Sequence, residues 1–135
     1  MTTRTEGAGP SGLASALVEA GALTSDWLPT FRAIPRELFV PDRIWPGVAD
    51  GTRQSALVDR TKDPEAWLRA VYSDIPLTTQ WDDGRHTGDA LGTTPTSSSS
   101  MPRMVFSMLA DLDVQEGQRV LEIGTGVRHE VAQCK

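Results

Sequence analysis

Glu122-Ile123-Gly124-Thr125-Gly126 is the stretch whose residue types and spacing could do chemistry. Two glycines one residue apart, placed at the end of a strand, let backbone approach a ligand more closely than any Cβ permits. Such a Gly-x-Gly serves many nucleotide binders and also plain turns. The second chemical feature is the hydroxyl-rich run from Thr93 to Ser100. By composition it would pass for a flexible linker; placed directly before a helix, it reads as a loop whose hydroxyls and N–H groups face a ligand. His86 and His129 are far apart and Cys134 is the single cysteine, so no zinc site is expected. His129 and Cys134 read as surface residues.

These features need elements to hold them. Met104, Val105, Met108, Leu109 and Leu112 fall on one face at helical spacing. Ser99 or Ser100 can cap that helix, and Pro102 sits in its first turn, where a missing N–H costs nothing. Gly117 closes a turn, and Arg119-Val120-Leu121-Glu122-Ile123 has the length and apolar density of a strand covered on both faces. Residues 94–126 therefore read as loop, helix, turn, buried strand and glycine loop.

Upstream, Leu13, Ala16, Leu17 and Ala20 form a short helical stripe with Ser11 as its cap and Gly21 as its end. A second helix is expected to start at Ser25 or Asp26, burying Trp27 (or Leu28), Phe31 and Ile34, and to stop at Pro35. A third should run from Asp63-Pro64-Glu65 through Trp67, Leu68, Ala70 and Val71. Residues 1–10 read as a disordered tail.

The totals bound the possibilities. At 135 residues the chain can form one modest domain with its own core. A net charge of −5 argues against nucleic acid and against an anionic membrane surface as partners. No apolar run approaches the roughly 20 residues that span a bilayer, and Arg4 and Glu6 among Thr and Gly do not make a signal peptide. With a single cysteine there is no internal disulfide framework, which fits a reducing, cytoplasmic compartment.

Several stretches together resemble the protein-L-isoaspartate O-methyltransferase family. Leu17 to Leu23, then Phe31-Arg32-Ala33-Ile34-Pro35-Arg36-Glu37-Leu38-Phe39-Val40-Pro41, is similar to that family's opening of helix, glycine, helix and Pro-Arg-x-x-Phe-Val-Pro. Tyr72-Ser73-Asp74-Ile75-Pro76-Leu77 resembles its Tyr-x-Asp-x-Pro-Leu segment, and Ser100-Met101-Pro102 its Ser-x-Pro. Arg119 to Gly126 resembles its cofactor strand and the first S-adenosylmethionine motif of Rossmann-like methyltransferases. Four landmarks in order are far more specific than any one of them.

The resemblance implies an α/β fold: an N-terminal helical, substrate-side segment over 11–93, carrying an insert at 42–70, followed at 94–126 by the start of a Rossmann-like domain. It implies methyl transfer from S-adenosylmethionine to the free carboxylate of an L-isoaspartyl residue in a damaged protein or peptide. A carboxylate with a pKa of about 4 is already ionised at neutral pH and needs no general base. Orientation then becomes the main task, worth up to roughly 7–11 kcal/mol. By the same resemblance Ser100 matches the active-site serine, while Glu122, Gly124, Thr125 and Gly126 would hold the cofactor.

Departures from the family's pattern set further expectations. The spacing from Pro41 to Tyr72 is longer than usual, and the polar run Trp81 to Asp89 is unusual; both read as solvated loops. The serine run and the insert also resemble relatives that methylate ribosomally made peptides during maturation. Arg128 stands where a third glycine is expected, and residues 127–135 read as an aberrant tail, as a frame change or premature stop after Gly126 would leave. On that reading the Rossmann sheet is incomplete, and the chain binds S-adenosylmethionine poorly or not at all. The competing expectation is a non-catalytic helical interaction fragment.

Overall fold

The computed structural model describes residues 9–48, 50, 52–124 and 126. Thr125, the tail at 127–135 and most of the N-terminal tail lie outside the described residues. Among the described residues the fold is a mixed α/β arrangement of four α-helices and a small antiparallel sheet.

α1 (Pro10–Glu19) starts with Pro10 inside its first turn and Gly9 as its cap, so Ser11 lies within the helix and does not cap it. It ends at Gly21, whose φ of +71° is the left-handed conformation glycine reaches without Cβ strain. That turn sends the N–H groups of Ala22 and Leu23 back to the carbonyl of Leu17. The buried stripe is Leu13, Ala14 and Leu17; Ala16 and Ala20, expected inside, are exposed. α2 (Leu28–Ala33) begins after Trp27, with no side-chain cap from Ser25 or Asp26. It buries Phe31, and Ile34 is half-buried.

The segment at 42–70 is not the solvated loop expected of it. Arg43–Pro46 forms β1 and Val58–Asp59 forms β2, paired antiparallel with Ile44 opposite Val58. α3 (Pro64–Val71) follows as expected, capped by the Asp63 carboxylate accepting from the Ala66 N–H at 2.9 Å. Its Trp67 is buried and donates its indole N–H to the Pro41 carbonyl at 3.0 Å. The insert is thus tied into the core.

β3 (Leu77–Trp81) lies beside β1, with Trp45 opposite Thr78. The serine run, expected to be a loop, is an edge strand. β4 (Pro95–Ser99) pairs with β3, Leu77 facing Ser99, to complete the order β2-β1-β3-β4. Burial explains it: Ser97 and Ser99 turn inward while Thr96 and Ser98 face out, the period of a strand. Pro95 stands at the first strand position, where a missing N–H is tolerated.

α4 (Pro102–Leu112) matches the expected helix in extent, but its face is rotated. Pro102, Val105, Phe106 and Leu109 are buried, whereas Met104, Met108 and Leu112 are exposed. Phe106 sets that rotation: it meets Phe31 edge-on at 5.7 Å and Trp27 at 6.4 Å. The core that results contains Leu17, Ile44, Val71 and Leu77, all fully buried, each worth roughly 1.5–3 kcal/mol of transfer free energy.

Arg119 to Ile123 does not form the expected buried strand. The segment has no regular structure, and Leu121 and Ile123 are 85% and 89% exposed. A strand exists only through hydrogen bonds to a neighbour. Among the described residues the sheet is wholly antiparallel, and no strand pairs with 119–123. No described helix is long and apolar enough to cross a membrane.

Candidate functional site

Arg36 is the centre of the polar structure around the β4–α4 junction. Pro35 ends the preceding segment, and Arg36–Leu38 makes a single 3₁₀ turn that aims the guanidinium inward, where it is only 2% exposed. Nη1 donates to the Val71 carbonyl at the end of α3, at 2.7 Å. Nη2 donates to Ser99 Oγ at 2.9 Å and to the Ser100 carbonyl at 3.0 Å. A buried guanidinium is tolerable only when its donors are met in this way. The next residue, Glu37, accepts a hydrogen bond from the Tyr72 hydroxyl. Arg36 and Glu37 therefore grip the end of α3 from adjacent positions.

Asp74 completes the junction from its other side. Its Oδ1 accepts the Arg103 backbone N–H at 2.8 Å, and its Oδ2 accepts Arg103 Nε at 2.9 Å. That backbone N–H belongs to the first turn of α4, where donors have no partner inside the helix. Asp74 thus supplies the cap that Ser99 or Ser100 was expected to supply. Ser99 is fully buried and committed to Arg36. Ser100 contributes its carbonyl to Arg36, is half-buried, and its hydroxyl has no hydrogen-bond partner among the described residues.

The remaining candidate residues divide. Gly126, at φ +55°, lies against β4: a Cβ there would sit 3.5 Å from Ser97 Oγ and 3.7 Å from the Ser98 carbonyl. The glycine loop and the serine strand are therefore neighbours. Gly124 has φ +77°, open space around it, and is exposed, as is Glu122. Thr125 lies outside the described residues. No wall encloses a ligand at Glu122 and Gly124, so the described residues do not by themselves make a pocket for S-adenosylmethionine.

Elsewhere, a groove of about 340 Å³ runs between β2 and the start of α3, lined by Leu57, Val58, Asp59, Lys62, Asp63 and Asp89 among others. It shares no residue with the β4–α4 junction. Among the described residues, three carboxyls are held below their ordinary range by hydrogen bonds from nearby threonines. Hydrogen bonds from the Thr52 hydroxyl and N–H act on Asp50, those from Thr61 act on Asp59, and the N–H groups of Thr93 and Thr94 act on Asp82. No cluster of His, Cys, Asp and Glu among the described residues is arranged to hold a metal ion.

Comparison with protein families, with curated proteins and with solved structures returns no match. Arg36, Glu37, Asp74 and Arg103 were all visible in sequence, three of them inside the quoted motifs, yet nothing in sequence assigned them a role. No local signal in sequence marks Arg36 as buried, since Pro35 and Leu38 beside it are exposed and Glu37 is half-buried.

Proposed function

We propose that this chain is the acceptor side of a carboxyl O-methyltransferase of the isoaspartyl type. The observation that carries the reading is spatial. Arg36, from the Pro-Arg-x-x-Phe-Val-Pro stretch, holds Ser99 and Ser100 of the Ser-x-Pro stretch. Asp74, from the Tyr-x-Asp-x-Pro-Leu stretch, caps the helix that follows. Three sequence landmarks that lie far apart along the chain thus meet at one junction, and Gly126 of the fourth lies against the adjoining strand.

In this reading the Ser100 hydroxyl, released from capping by Asp74, donates a hydrogen bond to the acceptor carboxylate. The methyl donor would be S-adenosylmethionine, held in a Rossmann-like domain of which residues 94–126 are the start. Because Glu122 and Gly124 stand exposed, no step of methyl transfer is assigned to these residues alone. The free α-carboxylate of an L-isoaspartyl residue in a damaged protein is the acceptor favoured here; a ribosomal peptide under maturation is the alternative within the same chemistry.

The test is a titration of the isotope-labelled chain, followed by NMR, with a short peptide carrying one L-isoaspartyl residue and with its aspartyl twin. The isoaspartyl peptide should move the amides of Ser97 to Ser100 and Gly126, and the twin should not. Identical responses, or none, would refute the reading.

One observation favours a second reading, a non-catalytic interaction module. The core from Leu13 to Leu109 closes without residues 119–126. A sharp thermal transition unmoved by S-adenosylmethionine, together with no peptide response, would support it.

A further inference from the structure

We infer that Arg36 is a positioning residue: its guanidinium sets the turn between β4 and α4 and, through that turn, the direction in which the Ser100 hydroxyl points. The last step rests on the reading of Ser100 given above, whereas the control of the turn stands on geometry alone.

One nitrogen, Nη2, holds Ser99 Oγ at 2.9 Å and the Ser100 carbonyl at 3.0 Å. These two acceptors bracket the peptide group joining the residues, so both cannot be held unless that link has one orientation. The clamp is itself anchored, since Nη1 is bonded to the carbonyl of fully buried Val71. On the far side of the turn, Asp74 fixes the Arg103 N–H and Pro102 restricts the chain before it. Met101 and Pro102 are all that lies between the Ser100 carbonyl and the Arg103 N–H. Ser100 directly follows the last residue of β4, is half-buried, and its hydroxyl has no hydrogen-bond partner among the described residues.

An apolar side chain of similar length would fill the same space without the cost of burying a charge. What it could not do is fix two acceptors on adjacent residues at once. A lysine ammonium is compact and lacks the planar fork, so it does not replace the clamp either. Side-chain chemistry at position 36 is therefore matched to control of the turn and exceeds what filling the core requires.

The experiment compares the full chain with Arg36→Lys and with Ser99→Ala, the latter removing one clamped acceptor and almost no volume. Amide exchange at Arg103 and Val105, whose N–H groups close the turn on the Asp74 carboxylate and the Met101 carbonyl, should rise about tenfold in each variant, the size expected for losing one charge-assisted hydrogen bond. The backbone shifts of the same residues should change, while amides in α1 and α3 of Ser99→Ala keep their wild-type shifts. Binding of the isoaspartyl peptide should weaken in both variants. If Ser99→Ala leaves Arg103 and Val105 unchanged, or if the two variants only lower the melting temperature uniformly, Arg36 is a core tie and the inference fails. If wild-type chain ignores the peptide but the exchange result holds, the methyltransferase reading falls and control of the turn by Arg36 stands.

Discussion

Replacing Asp74 by alanine tests how α4 begins. The helix has Met101 as its cap residue with no side-chain cap bond, and Pro102 occupies the first turn. Its start therefore depends on a carboxylate brought from the segment after α3. Losing a cap costs about 1 kcal/mol, within a range of roughly 0.5–2. Losing a negative charge at a helix N-terminus adds about 0.3–1 kcal/mol. The side-chain half of the interaction is weaker, because Arg103 is 55% exposed and such pairs contribute at most about 1 kcal/mol. Asp74→Ala should therefore cost roughly 1.5–2.5 kcal/mol, lowering Tm by about 5–12 °C in a domain of this size. Asp74→Asn keeps an acceptor for the N–H and should lose less than half of that. Arg103→Ala leaves the backbone N–H in place and should cost about 0.5 kcal/mol or less. Urea unfolding of the three variants and of the Asp74→Ala/Arg103→Ala pair closes the cycle. If Arg103→Ala proves as costly as Asp74→Ala, the ion pair and not the cap holds the helix. If Asp74→Ala costs nothing, packing of Phe106 alone is sufficient.

Gly92→Ala would place a Cβ 2.7 Å from Trp81 Cγ and 2.8 Å from Asp82 Oδ2, and should destabilise the chain by roughly 1–3 kcal/mol in urea unfolding, as overpacking does. Trp67→Phe removes the indole bond to Pro41 and part of a fully buried ring. It should cost about 1–2 kcal/mol by the same measurement, against roughly 3–5 for Trp67→Ala. Asp82 is held low by the Thr93 and Thr94 N–H groups, so its folded pKa lies below its unfolded one. The closure it gives to residues 82–94 is therefore complete above the ordinary carboxylate range and lost as pH falls through that lower value. The amide shifts of Thr93 and Thr94 should titrate together below about pH 4 and become flat in Asp82→Ala. Calorimetry of the chain with S-adenosylmethionine should show no micromolar binding, because Glu122 and Gly124 are exposed; micromolar binding would overturn that reading of the glycine loop.

The helices were legible because each carries its own signal. Asp63 before Pro64 is a cap and a first turn in adjacent letters, and α3 follows it residue for residue. Gly21 likewise marks the end of α1. The sheet was not legible, for an equally local reason. β2 is two residues long, β1 ends in proline, and β4 is almost entirely serine and threonine. None shows the apolar alternation that marks a strand, because each is completed by partners distant in sequence. The rotation of α4 was hidden in the same way. Met104, Met108 and Leu112 make as good a stripe as Pro102, Val105, Phe106 and Leu109, and only the aromatic pair Trp27 and Phe31 decides between them.

Arg119 to Ile123 shows the converse. Its composition is that of a strand covered on both faces, yet Leu121 and Ile123 lie almost fully in solvent. Apolar density records what a segment would gain from cover; whether cover exists depends on neighbours. The same distinction separates the two halves of the candidate site. Arg36 holds Ser99 and Ser100, and Asp74 holds Arg103, through bonds at 2.8–3.0 Å, so both sides of that junction are tied within the described residues. Glu122 and Gly124 have no such partners and take their proposed role from resemblance alone. An acceptor-side function can therefore be tested on this chain as it stands, whereas a donor pocket needs the cover that 119–123 lacks here.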